Sequence, residues 1–289
     1  MPRERRIPVG HARLYAREIG QGQPIVVLHG GPDFDHTYLL PDLDRLADSF
    51  RLLYYDQRGR GGSADGVRPD DVSIESEMSD LDAVRRSFVR GPTAILGHSW
   101  GTVLALEYAI RHPERVSHLI LLNPAPASHQ DFLLLRKDRA EKMGADLDRK
   151  NAVAASAAYK DGDPDAVAAY YRIHFAKALA RPADLEKLMA ILRPTFTRGV
   201  LEARRIEDRL VSETWLSTGY DLLPRLGKLR VPTLIITGDH EIVPFDAAAH
   251  IARAIPGARL VTLKDCGHFS YLECPEAVRK EIDGLFRRE

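Results

Sequence analysis

Cysteine is scarce, with 2 residues among 289, so no disulfide framework is available and an apolar core must hold the fold. Net charge is absent too. Lys+Arg and Asp+Glu each total 41, which leaves no overall field to draw in nucleic acid or an anionic membrane surface. Long hydrophobic runs are missing, the longest being short segments such as Ile25–Leu28 and Leu119–Leu122, far below the roughly 18–20 residues of a membrane span. The opening Met-Pro-Arg-Glu-Arg-Arg has no apolar segment of the kind a signal peptide requires. These absences lead us to expect a cytoplasmic protein with reduced thiols and with neither a nucleic-acid nor a membrane partner. Oligomeric state leaves no mark on the sequence.

What is present has globular proportions: 44% hydrophobic and 28% charged residues, in a length that suits one large domain or two ordinary ones. Short apolar runs bounded by Gly, Pro or Asp recur at Ile25–Leu28, Leu52–Tyr55, Thr93–Leu96 and Leu119–Leu122, the pattern of strands buried on both faces of a parallel sheet. Helical periods lie between them at Met78–Phe88 and Thr102–Ile110. This alternation predicts a wound α/β sheet with helices on both faces. Ala12–Ile19 alternates with period two and reads as an antiparallel edge strand.

After Asn123-Pro124 about a hundred residues are helix-like and carry no convincing strand. Asp163-Pro164 and Arg181-Pro182 read as helix starts and Gly199 as a break, so five or so helices are expected. At Val231-Pro232 the strand pattern resumes with Thr233–Thr237, a helix around Ala247–Ala254, a strand at Ala258–Leu263 and a closing helix from Pro275 to Phe286. Residues 1–123 and 231–289 thus form a core domain, and 124–230 an inserted helical cap, or lid.

The strongest chemical signal is Gly97-His98-Ser99-Trp100-Gly101, a G-x-S-x-G between a strand and a helix. A serine on such an elbow projects its hydroxyl from a sharp turn, and the glycines let the turn approach its neighbours. A serine nucleophile needs a base and a group to orient that base. His268, in the loop after the last strand, is the candidate base. The acid belongs in Gly238–Pro244, where Glu241 and Asp239 compete. An oxyanion needs two backbone N–H donors: Trp100, next to the nucleophile, supplies one, and Gly31 in His29-Gly-Gly-Pro32 supplies the other.

With Tyr55-Asp-Gln-Arg-Gly-Arg-Gly-Gly-Ser63 and Gly267-His268, these motifs resemble the α/β-hydrolase superfamily, and within it the proline iminopeptidase-like branch. The resemblance covers nearly the whole chain apart from the cap. It implies an α/β-hydrolase fold with a mostly parallel central sheet, and it places the acid third after the glycine of a G-x-x-D motif, at Glu241. Two departures from the branch count against peptidase activity. Asp33 replaces the last glycine of His-Gly-Gly-Pro-Gly, and Ile242 stands where iminopeptidases often carry a second carboxylate for the substrate ammonium. The cap glutamates Glu202, Glu207 and Glu213 are the other candidates for that charge.

Arg58-Gly-Arg-Gly-Gly62 lacks the Lys-Ser/Thr ending of a phosphate cradle and reads as a structural loop. The histidines show no metal-ligand spacing, and Cys266 and Cys274 read as ordinary buried thiols. No metal and no cofactor is expected. The expectation is a cofactor-independent serine hydrolase acting on a small carboxylic ester or related amide through an acyl-enzyme, with a proline iminopeptidase as the alternative. A ligand receptor with vestigial hydrolysis is the reading from a different class.

Overall fold

A computed structural model of the chain describes residues 2–197 and 199–287. The strands are β1 (Arg3–Val9), β2 (Ala12–Ile19), β3 (Gln23–Leu28), β4 (Phe50–Tyr55), β5 (Thr93–His98), β6 (Val116–Leu122), β7 (Thr233–Gly238) and β8 (Arg259–Leu263). They form one sheet in the order β1-β2-β4-β3-β5-β6-β7-β8. β1 pairs antiparallel with β2 and β2 antiparallel with β4, while every later pairing is parallel.

β2 has the expected bounds but is not the edge. That place belongs to β1, whose sequence RERRIPV hides a strand because its charged residues are exposed. Charged side chains on an edge strand discourage pairing with other chains, and they also erase the apolar alternation that reveals a strand.

The helices are α1 (Ile74–Phe88), α2 (Trp100–Arg111), α3 (His129–Met143), α4 (Ala145–Ala155), α5 (Ala157–Lys160), α6 (Pro164–Phe175), α7 (Asp184–Leu192), α8 (Val200–Glu213), α9 (Leu223–Leu226), α10 (Phe245–Ala254), α11 (Ser270–Glu273) and α12 (Pro275–Phe286). Between β6 and β7 lie α3 to α9, two of them single turns, so the helices in that stretch outnumber the five or so expected. Asp163 caps α6 by accepting from the N–H groups of Asp165 and Ala166, with Pro164 in the first turn.

The apolar runs are continuous because alternate residues bury on opposite faces. In β3, Ile25 and Val27 join the core with α12 residues Val278 and Ile282, while Val26 and Leu28 join the core with Leu81 of α1 and Leu104 of α2. The helices between β6 and β7 feed both cores, Tyr171 and Phe175 the first and Ile206 and Leu210 the second. Leu96 on central β5 is fully buried, so truncating it to Ala would cost about 2–5 kcal/mol.

Cys266 and Cys274, expected as free thiols, are instead joined by a disulfide across eight residues. The bond closes the loop that carries His268. It removes the support that reduced cysteines gave to the cytoplasmic expectation. No helix among the described residues is long and apolar enough to cross a membrane.

Parallel strands bring their carboxyl ends to one side, where α/β sheets place their crevice. The loops after β3, β5, β6, β7 and β8 all open there, carrying Gly31, Ser99, Asn123, Glu241 and His268.

Candidate active site

β5 must turn into α2 within one residue, and Ser99 absorbs the reversal at φ 52° and ψ −121°. A non-glycine residue held there is strained and survives only where its surroundings fix it. A Cβ on Gly97 would sit 2.4 Å from the Gly101 carbonyl oxygen, and one on Gly101 would sit 2.3 Å from that of Leu28. Both positions therefore require glycine. Trp100 opens α2, so its N–H has no acceptor within the helix.

His268 Nε2 lies 3.0 Å from Ser99 Oγ, and His268 Nδ1 lies 2.6 Å from Glu241 Oε1. Glu241 Oε1 also accepts the N–H groups of Ile242 (2.8 Å) and Val243 (3.1 Å), and Oε2 accepts Asn123 Nδ2–H at 2.8 Å. Burial alone would push this carboxyl up. His268, Asn123 and the backbone donors outweigh burial and hold Glu241 below its ordinary value, as the ionised form. Asp239 points elsewhere. It pairs with His240 Nδ1 at 2.8 Å and accepts from Cys266 N–H at 3.1 Å, and the bond from His240 draws it down to about 2. Of the two competing carboxylates, the structure brings only Glu241 to His268.

Buried polar chains brace this row, and sequence reasoning missed their members. Gly30 N–H donates to the Tyr38 hydroxyl at 2.8 Å, and that hydroxyl donates to His98 Nδ1 at 2.6 Å. His98 Nε2 then donates to the His268 carbonyl at 2.9 Å. Burial, reinforced by the neighbouring His268, lowers His98 to about 3, so its ring is neutral with the proton on Nε2. His29 is likewise lowered to about 3 by burial, accepting from Gln57 N–H at 3.0 Å. Glu273 accepts Gly267 N–H (2.7 Å) and the N–H groups of Ala180 (2.8 Å) and Arg181 (3.1 Å), tying the His268 loop to the inserted segment. His268 N–H donates to Ala178 O at 2.7 Å in the same seam.

Ser99, Gly31 and His268 line a cavity of about 260 Å³. α3, α5, α6 and α8 contribute Arg139, Tyr159, Tyr170, His174 and Glu207 to its lining, and Ile242 lines it too. Asp33 sits on the loop after β3, where the Tyr171 hydroxyl donates to it, and burial raises its carboxyl. The three candidate glutamates, all on α8, separate here. Glu202 is exposed, Glu213 accepts Ile74 N–H at 2.9 Å, and only Glu207 faces the cavity.

The glycine-rich loop after β4 uses its arginines internally. Arg58 pairs with Asp80 at 2.5 Å and Arg60 with Glu77 at 2.6 Å, both on α1. Asp35, His36 and Asp56 bring potential metal-ligand atoms within 4.8 Å of one another. Asp56 already accepts from His36 N–H and Nδ1 and from Gly62 N–H, and Asp35 accepts from Thr37 N–H, so these carboxylates hold loops together.

A family model described as the alpha/beta hydrolase fold matches residues 23–275. The proline iminopeptidase of Saccharolobus solfataricus is 27% identical over 283 residues, covering 95% of this chain and 89% of that protein. A crystal structure of proline iminopeptidase from Mycobacterium smegmatis aligns with a TM-score of 0.75 at 24% identity, over 99% of this chain and 98% of that one. A thermophilic esterase from Thermogutta terrifontis aligns with a TM-score of 0.73 at 21% identity, again over 99% and 98%. At such identities the structural likeness is one of fold. With its sheet order, serine elbow and matched residues taken together, this chain belongs to the α/β-hydrolase fold family and, within it, is similar to proline iminopeptidases.

Proposed function

We propose that this protein is a cofactor-independent serine hydrolase that cleaves a small carboxylic ester or related amide through an acyl-enzyme. The observation carrying this reading is the row Ser99 Oγ, His268 and Glu241, at 3.0 and 2.6 Å. Ser99 attacks the substrate carbonyl while His268 Nε2 takes its proton. Glu241 receives the Nδ1–H, fixes the tautomer and stabilises the imidazolium that forms. The N–H groups of Gly31 and Trp100 hold the developing oxyanion. His268 returns the proton to the leaving group, then activates a water that releases the acid. Residues 124–230 act as a cap over the cavity and shape its specificity.

The alternative is a proline iminopeptidase. Two observations favour it: relatives of that name are 27% and 25% identical, and Glu207 faces the cavity where an ammonium would need a carboxylate. Ile242, apolar and buried beside Glu241, favours the ester.

Ser99→Ala tests the shared mechanism. The elbow tolerates the smaller side chain, and kcat should fall by about 10³-fold or more. A fluorophosphonate should label Ser99 alone. A folded variant keeping more than about a tenth of kcat, or an adduct elsewhere, would remove Ser99 from the nucleophile role.

A further inference from the structure

The helices between β6 and β7 give the cavity that Ser99 lines several hydrogen-bond donors without partners among the described residues. Arg139, from α3, lines the cavity, and its guanidinium forms no hydrogen bond or ion pair with any described residue. Guanidinium groups that face no ligand normally find a carboxylate or reach bulk water. Burial is the main influence on Arg139, lowering its pKa from the usual value. In the same cavity the hydroxyls of Tyr159 and Tyr170 have no hydrogen-bond partner among the described residues, and His174 Nδ1 is buried without one there. Lys150 stands behind, with Nζ 5.4 Å from the Tyr170 ring centroid. Its pKa is lowered to about 8 by burial and then by Arg139.

The one acidic group that these helices give the cavity does not satisfy the arginine. Glu207 lines the same cavity yet makes no ion pair with Arg139. Burial, and then the proximity of Asp33, pushes its carboxyl well above the ordinary value, against the opposing pull of Arg204 and Arg139. Asp33 itself is bonded to Tyr171. Desolvating a guanidinium is costly, and a ligand that supplies two anionic oxygens to its fork repays that cost.

We propose that Arg139 is a specificity-determining residue that binds a free carboxylate on the substrate, remote from the carbonyl that Ser99 attacks. The substrate class is then a carboxylate-bearing ester, such as a half-ester of a dicarboxylic acid. Tyr159 and Tyr170 add donors to the same carboxylate. A substrate ammonium is disfavoured by the same cation. This assignment rests on the cavity at Ser99 being the substrate site, as proposed above.

Calorimetry on Ser99→Ala protein reads the contact without turnover. Monomethyl glutarate, with one free carboxylate, should bind at least about tenfold more tightly than dimethyl glutarate. Arg139→Gln in the same background should bring the two within about threefold, and Arg139→Lys should retain part of the preference. Equal affinities with Arg139 intact, or binding of neither ligand, overturns the proposal without relying on any variant of Arg139. A preference that survives Arg139→Gln overturns it as well. In turnover by the unmodified enzyme, 4-nitrophenyl hemiglutarate should exceed 4-nitrophenyl pentanoate in kcat/KM by a similar factor. Undiminished hydrolysis by Ser99→Ala would refute the nucleophile while leaving the binding comparison to decide on Arg139.

Discussion

Asn123 Nδ2 donates to Glu241 Oε2 at 2.8 Å, the carboxylate oxygen that His268 leaves free. Asn123 also donates to the Gly267 carbonyl at 3.0 Å and accepts from Ser270 Oγ at 2.5 Å, so one fully buried amide aligns Glu241 with the loop bearing His268. Its backbone sits at φ 48°, a region that asparagine tolerates better than most residues.

Asn123→Asp keeps the shape but sets a second carboxylate against Glu241. Like charges at this range oppose ionisation of both, and the added negative charge favours the imidazolium form of His268. The ascending limb of the kcat/KM profile should move to higher pH, with kcat reduced about ten- to a hundredfold. A pH–rate profile from 5 to 9 checks it. A uniform loss with an unmoved limb would mean that Asn123 serves only the fold.

Glu241→Gln should lower kcat far more than Asp239→Asn, by about 10²-fold or greater against less than about threefold. Only Glu241 reaches His268, whereas Asp239 is spent on His240 and the Cys266 N–H. Steady-state kinetics on the two folded variants gives the ranking, and the reverse order would hand the acid role to Asp239.

The elbow was legible because its signal is local: strand, serine and helix follow one another from Thr93 to Arg111. The bracing residues were not. Asn123 meets Glu241 across 118 positions and Tyr38 meets His98 across 60, distances over which a single sequence holds no trace of contact. The Glu241-or-Asp239 choice was open for a related reason, since two carboxylates two residues apart are separated only by how the loop after β7 turns. Sorting Glu207 from Glu202 and Glu213 needed the rotation of α8, which is set by burial of Ala203, Ile206 and Leu210. β1 was lost because its charges mask its period, and the disulfide because two cysteines eight apart look alike whether bonded or free.

His98 and His29 should remain neutral far below the imidazole range, since burial lowers each to about 3. The sign for stability follows from proton uptake. Between about pH 3 and 6.5 the unfolded chain binds a proton at each ring that the folded chain refuses, so each contributes stability that is full above pH 6.5 and lost as pH falls. Ring ¹⁵N shifts should show His98 protonated on Nε2 alone down to pH 5. Titration of either ring between pH 6 and 7 would contradict the buried hydrogen bonds that define them.

The choice between ester and proline amide turns on what can hold an ammonium. Removing its hydration costs several kcal/mol unless carboxylates are fixed beside it. The cavity sets apolar Ile242 next to Glu241, ties Asp33 to Tyr171, and leaves Glu207 as the free carboxyl, with the unpaired Arg139 in the same lining. A cation there works against a second cation. A short or medium acyl aryl ester should therefore exceed a proline arylamide in kcat/KM by at least about tenfold, or roughly 1.4 kcal/mol of transition-state preference. The better leaving group of the ester contributes to that gap, so an N-blocked proline arylamide is the needed control. If the free amine is strongly preferred over its blocked form, Glu207 is binding the ammonium despite Arg139. The iminopeptidase reading then replaces the ester.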